Sequence, residues 1–142
     1  MKPTKESVAI VIKNGKGGFL AVRRAEGDTF AGQWGLPAAT LRGDETNQDT
    51  VKRAAKDKLG VDVEILETIG DMTLDKGEYL NHLTEYLVKI VKGEVSLKMR
   101  DSSVSQYTEY KYYDDPRILI PAAKNGSICS RIFLQTYNLN WE

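Results

Sequence analysis

A single amphipathic helix is written into residues 47–59, and it limits what the rest of the chain can fold into. Thr46 is a residue type that caps helix N-termini, and Asp49 suits the first turn. Val51, Ala55 and Leu59 recur at i, i+4 and i+8, and Gly60 follows as a stop. One apolar row of this kind must be buried against something, and the segments around it read as strands. Residues 7–13 (SVAIVIK) and 18–24 (GFLAVRR) are short apolar runs separated by NGKG, a turn signal, so they are expected to pair as a hairpin. Residues 27–43 form a Gly-rich passage expected to be irregular. Strand-like runs follow at 61–70, 79–91 and 109–115. Residues 126–139 carry Ile128, Ile132 and Phe133 at helical spacing, with Pro116 and Pro121 punctuating the link before them. The expectation is an α+β domain, a mixed sheet covered by helices.

Composition narrows the partners. The 142 residues suit one domain, and twenty Lys+Arg against twenty Asp+Glu leave no net field to draw in nucleic acid or an anionic membrane. The apolar run at residues 8–12 is too short for a signal peptide or a membrane span, which points to a cytoplasmic protein. Cys129 is the single cysteine, so no internal disulfide can form, and a small buried hydrophobe is its plainer role than a catalytic thiol.

The stretch WGLPAATLRGDET leads into the helix, and the two together carry a known spacing. Arg23-Arg24, Gly32, Trp34, Leu36-Pro37, Glu45, Arg53, Asp57, Gly60 and Val61 match the pattern of the Nudix hydrolase family. The family box, G-x5-E-x7-R-E-U-x-E-E-x-G-U with U aliphatic, aligns without a gap over residues 39–61. The chain thus resembles a Nudix (MutT-like) hydrolase over nearly its whole length. That resemblance implies a mixed sheet in an α/β/α sandwich, and metal-dependent hydrolysis of nucleoside-diphosphate-linked substrates with Mg²⁺ or Mn²⁺. Glu45, Arg53 and Asp57 would be the catalytic set, Glu45 and Asp57 the metal ligands, and Arg23, Arg24 and Lys58 the substrate contacts.

The identities depart from the box where its chemistry resides. Ala39 replaces its opening glycine, Ala54 replaces the glutamate after Arg53, and the glutamate pair becomes Asp57-Lys58. On an α-helix, positions 54, 57 and 58 project from one face, so three carboxylates there would converge on one hard cation. Ala54, Asp57 and Lys58 leave one acid beside an ammonium. An ammonium about 5 Å from Mg²⁺ at an effective dielectric of about 20 is repelled by roughly 7 kcal/mol before screening. A further acid that the family often supplies aligns here with Gln106.

Several residues keep alternatives. Glu45 and Arg53, with Asp49 and Asp57 one turn from Arg53, could instead form a salt-bridge cluster that ties the loop to the helix. Trp34, Leu36 and Pro37 read better as packing and turn residues than as ligand contacts. His82 lies in an alternating strand and is a weak candidate for a general base. Glu85 faces the other side of that strand, and it or Glu109 could replace a missing acid only by turning into the cleft. Three functions remain open: a weak or rearranged hydrolase; a module that binds a nucleotide or diphosphate ligand without cutting it, with Lys58 standing where a metal charge would be and no cofactor; and an interaction protein. The helix is expected to pack through Val51, Ala55 and Leu59, leaving Ala54, Asp57 and Lys58 facing a cleft.

Overall fold

The run SVAIVIK is apolar at consecutive positions because both faces of its strand are covered. A computed structural model describes residues 2–25, 30–97 and 107–142. In it β1 (Thr4–Ile12) is buried from Ser7 onward, with Val8, Ile10 and Ile12 on one face and Ala9 and Val11 on the other. The first face meets Val51, Ala55 and Leu59 of the helix that starts as α1 (Asn47–Ala54). The second meets Cys129, Ile132, Phe133 and Leu134 of α3 (Ile128–Thr136). The layers are helix, sheet, helix, as expected.

Two sheets share this core. One has the order β4-β1-β6-β5, with β4 at Ala38–Thr40, β5 at Asp62–Asp75 and β6 at Leu80–Lys92. The other has the order β3-β2-β7, with β2 at Phe19–Arg24, β3 at Trp34–Gly35 and β7 at Tyr107–Tyr113. β1 runs parallel to β6, from Thr4 opposite Leu80 to Ile12 opposite Val88, and antiparallel to β4; the other pairings are antiparallel. The expected hairpin of the first two strands is corrected here. Asn14 N–H bonds Gly18 O and Lys13 bridges Phe19, but the strands then part into different sheets. Both edges of β1 and both edges of β2 are taken by other partners, and those partners fix the layout. The passage expected to be irregular also contains β3 and β4, extending the chain across the core with Leu36 fully buried between them. A 3₁₀ turn, Pro116–Leu119, and the short α2, Ile120–Lys124, fill the link before α3.

The central helix is built as its sequence suggests. The Thr46 hydroxyl accepts from Asp49 N–H while the Asp49 carboxylate accepts from Thr46 N–H, a reciprocal capping box. It ends at Gly60 with φ 74°, a left-handed conformation that glycine adopts without strain. Its last stretch, Ala55–Leu59, is wound as a π-turn, with Gly60 N–H bonding Ala55 O, and Val61 N–H closes the cap on the same oxygen. The extra residue in that turn swings positions 57 and 58 away from the alignment that an ideal 3.6-residue period gives them. No described helix is long and apolar enough to cross a membrane.

Candidate functional site

A cavity of about 410 Å³ opens between the α1 side of the fold and the start of α3, with, in its walls, Ser7 of β1, Ala38 to Thr40 of β4 and Leu41 after it, Asn81 of β6, Ser127 at the N-cap of α3 and Cys129 within that helix. Five basic side chains line it, Arg24, Arg42, Arg53, Lys58 and Lys76. Among the described residues no carboxylate does.

Glu45 and Arg53 come together as the salt-bridge reading proposed. Arg53 Nε donates to Glu45 Oε2 at 2.7 Å and its NH2 group to Oε1 at 3.0 Å and to Thr40 O at 2.9 Å. Oε1 also accepts from Arg42 N–H at 2.8 Å and from the Thr50 hydroxyl at 3.1 Å. Glu45 therefore has its oxygens filled by donors on the loop and the helix, and this clamps the loop that follows β4 onto α1. The Arg53 guanidinium bonded to it, with the Arg42 amide next, holds its carboxyl at about 2. Asp49 is not part of the cluster, because it completes the cap. A carboxyl depressed in the fold adds stability that is present above its unfolded value of about 4.3 and lost as pH falls through the folded one. The gap in urea midpoint between the protein and Glu45→Gln should therefore close between about pH 5 and pH 2; a gap constant over that range would show that the ionised clamp contributes nothing.

Lys58 does not project free into the cleft as expected. It is buried, with its ammonium donating to Ala38 O at 2.5 Å and standing 5.4 Å from the centre of the Tyr107 ring. It lines the cavity as part of the wall. Ala54 is 1% exposed, and Asp57 is half-buried and does not reach the lining, so the three positions do not converge on one point. Arg24 lines the cavity, its guanidinium 5.2 Å from the centre of the same Tyr107 ring, and donates to Leu36 O at 3.4 Å. Arg23 lies outside, paired at 2.6 Å with Glu109.

Neither surrogate acid enters the cavity. Glu109 is held by Arg23. Glu85 is fully buried on the α3-facing side of β6, and both its oxygens lack a hydrogen-bond partner among the described residues. Burial, with Cys129 nearby, pushes its carboxyl well above the usual range. His82 is gripped on the opposite face, Nδ1 at 2.7 Å from Glu6 and Nε2 at 2.7 Å from Asp71, away from the cavity. Gln106 lies outside the described residues. No described group of three or more His, Cys, Asp or Glu side chains is arranged to hold a metal ion.

A model of the NUDIX domain matches residues 3–118. The chain belongs to the Nudix family. No curated protein matches it by sequence. Among solved structures it is similar to a MutT protein from Methanosarcina mazei Go1, 23% identical over 96% of this chain and 95% of that one, with a TM-score of 0.75. It is also similar to a NUDIX hydrolase from Nitrosomonas europaea, 16% identical over 96% and 90%, TM-score 0.75. An ADP-ribose pyrophosphatase from Streptococcus suis 89-1591 is 17% identical over 97% and 96%, TM-score 0.62. At these identities the likeness speaks for the fold. The Nudix box of this chain thus sits on the helix where its spacing placed it, with its retained Glu45 and Arg53 joined to each other.

Sequence reasoning missed Arg42 and Lys76. Arg42 lies at the rim, its guanidinium without a partner among the described residues, and nothing about its place in a polar loop singles it out. Lys76 belongs to a DKG turn that reads as an ordinary connection. Only the approach of that turn to α3 makes it part of a cavity.

Proposed function

We propose that this Nudix chain binds a nucleoside-diphosphate-type ligand through fixed basic side chains, with metal-dependent hydrolysis weak or absent. The observation that carries the reading is the cavity lined by five basic residues and, among the described residues, by no carboxylate. Mg²⁺ is held by hard carboxylate oxygens, and cleavage of a diphosphate needs such an ion to neutralise the phosphates and activate water. Here Glu45 is spent on Arg53, Asp57 lies off the lining, and Lys58 contributes a cation where the box calls for an acid. The Mg²⁺ or Mn²⁺ site implied by the family is therefore not supported by the donors present. Arg42, whose guanidinium has no described partner, is suited to phosphate oxygens, since guanidinium groups bond them in a planar fork, and Arg53 and Arg24 add positive charge beside it. The activities named for two similar structures, an ADP-ribose pyrophosphatase and a UDP-X diphosphatase, favour a diphosphate at the centre of the ligand. A cytoplasmic setting suits such a ligand and the free Cys129.

The test is a melting experiment with ADP-ribose, UDP-glucose and a nucleoside triphosphate, in chelator and in Mg²⁺, alongside product release. In chelator a ligand at about 100 times its Kd adds near 2.7 kcal/mol, and Mg²⁺ should not be needed. Turnover near an ordinary enzymatic rate of about 1 s⁻¹ in Mg²⁺ would make the chain a working hydrolase and end the binding-module reading.

A further inference from the structure

Lys76 stands apart from the other basic residues of the cavity. It lies in the turn joining β5 to β6, its backbone N–H bonded to Tyr79 O, and its side chain leaves that turn towards the start of α3. There the ammonium donates to Gly126 O at 2.9 Å, one of three hydrogens used. The group is half-buried, and no carboxylate pairs with it among the described residues; Asp75, its neighbour in sequence, is taken by Lys2. Burial and the charge of Arg131 both push its pKa down. A half-buried ammonium with one described hydrogen-bond partner and no described carboxylate beside it has donors left for an anion. Asn81 adds a second donor at this end: its amide oxygen accepts from the Ser7 hydroxyl at 3.0 Å, and the amide lines the cavity.

The other cations lie across the sheet. Arg42, Arg53 and Lys58 gather around β4 and α1, whereas Lys76 lies in the turn before β6 and Asn81 at the start of that strand, and β1 runs between β4 and β6. Two strand spacings separate those ends, on the order of 10 Å. Lys76 and Asn81 thus offer donors on the β6 side of β1, apart from the cluster at β4.

We propose that Lys76 receives a second anionic group, so that the preferred ligand is a diphosphate-linked compound carrying a further phosphate or carboxylate on the β6 side of β1. The inference rests on the diphosphate reading above and narrows it. Two commercially matched pairs test it, NAD⁺ against NADP⁺ and UDP-glucose against UDP-glucuronate, each differing by one anionic group. Their dissociation constants are measured by calorimetry in chelator at fixed ionic strength. In at least one pair the more anionic member should bind about tenfold or more tightly, the effect expected of one charge-assisted hydrogen bond. Lys76→Met should bring that pair to equal affinity. A merely structural role through Gly126 would weaken both members alike and leave their ratio untouched. Equal affinities within both pairs, or a preference that survives Lys76→Met, overturn the second-anion site alone. If none of the four binds, the diphosphate reading falls and this site falls with it.

Discussion

Glu85→Leu should raise the melting temperature by about 8 °C near neutral pH, and the gain should grow as pH rises. The carboxyl is fully buried among side chains of the α3 layer with no described partner for either oxygen. Burying an unsatisfied polar group costs about 1–3 kcal/mol by mutational measures, and a leucine fills similar space without that cost. For a domain of this size about 2 kcal/mol corresponds to roughly 8 °C. The pH dependence follows from the raised carboxyl. Between the unfolded value of about 4.3 and the folded one, the native state holds a proton that the unfolded chain has lost, so stability falls by about 1.4 kcal/mol per pH unit. His82 is raised as well, by Asp71 and Glu6, and its contribution is full below about 6.5 and lost as pH rises through the folded value. That contribution is common to the protein and the variant, so it cancels in their difference. Melting temperatures of the two, compared from about pH 4.5 to 7.5, should diverge; parallel curves, or a less stable variant, would mean that Glu85 has found partners.

Ala54→Glu combined with Lys58→Glu should destabilise the protein strongly, and Mg²⁺ should restore little of the loss. Position 54 is 1% exposed and position 58 is 9% exposed, with an ammonium on the Ala38 carbonyl. Reversing that charge sets a carboxylate against a carbonyl oxygen, and an unpaired buried charge costs about 3–5 kcal/mol. The metal-free variant should therefore melt about 12–20 °C lower. Mg²⁺ should return little of that loss, because positions 54, 57 and 58 do not converge on one point; a return of about 2.7 kcal/mol, the effect of metal at about 100 times its Kd, would show that they do. Lys58→Met separates the effects, since it removes the ammonium without inserting an acid and should respond to no metal. A melting temperature of the unaltered chain that climbs with millimolar Mg²⁺ would place a metal on acids other than Glu45, Asp57, Glu85 and Glu109.

What could be read from the sequence was local. The cap at Thr46 and Asp49, the stop at Gly60 and the buried row of Val51, Ala55 and Leu59 depend on neighbours within a few turns, and they came out as expected. The partnership of Glu45 with Arg53 was also legible, because the box spacing sets a loop residue beside a helix face. The pairing of the first two runs was not: whether β1 takes β2 or β6 as its neighbour depends on chain far along the sequence, where Thr4 meets Leu80. β3 and β4, two and three residues long, are too short for a period to register. The burial of Lys58 depends on the Ala38 carbonyl, twenty residues earlier in the chain, and no local spacing announces that contact. Alternation along β6 did put Glu85 and His82 on opposite faces, while the lack of any described partner for Glu85 emerged only from the packing.

The placement of β1 bears on how the chain is made. Its parallel neighbour along one edge begins at Leu80, opposite Thr4, so an apolar strand leaves the ribosome about 76 residues before the chain that covers that edge. Pairings across such sequence distances carry a large loop-closure cost and slow folding. Until β6 emerges, the nascent N-terminal segment offers an unpaired edge to other chains, a hazard during synthesis that the finished protein no longer shows.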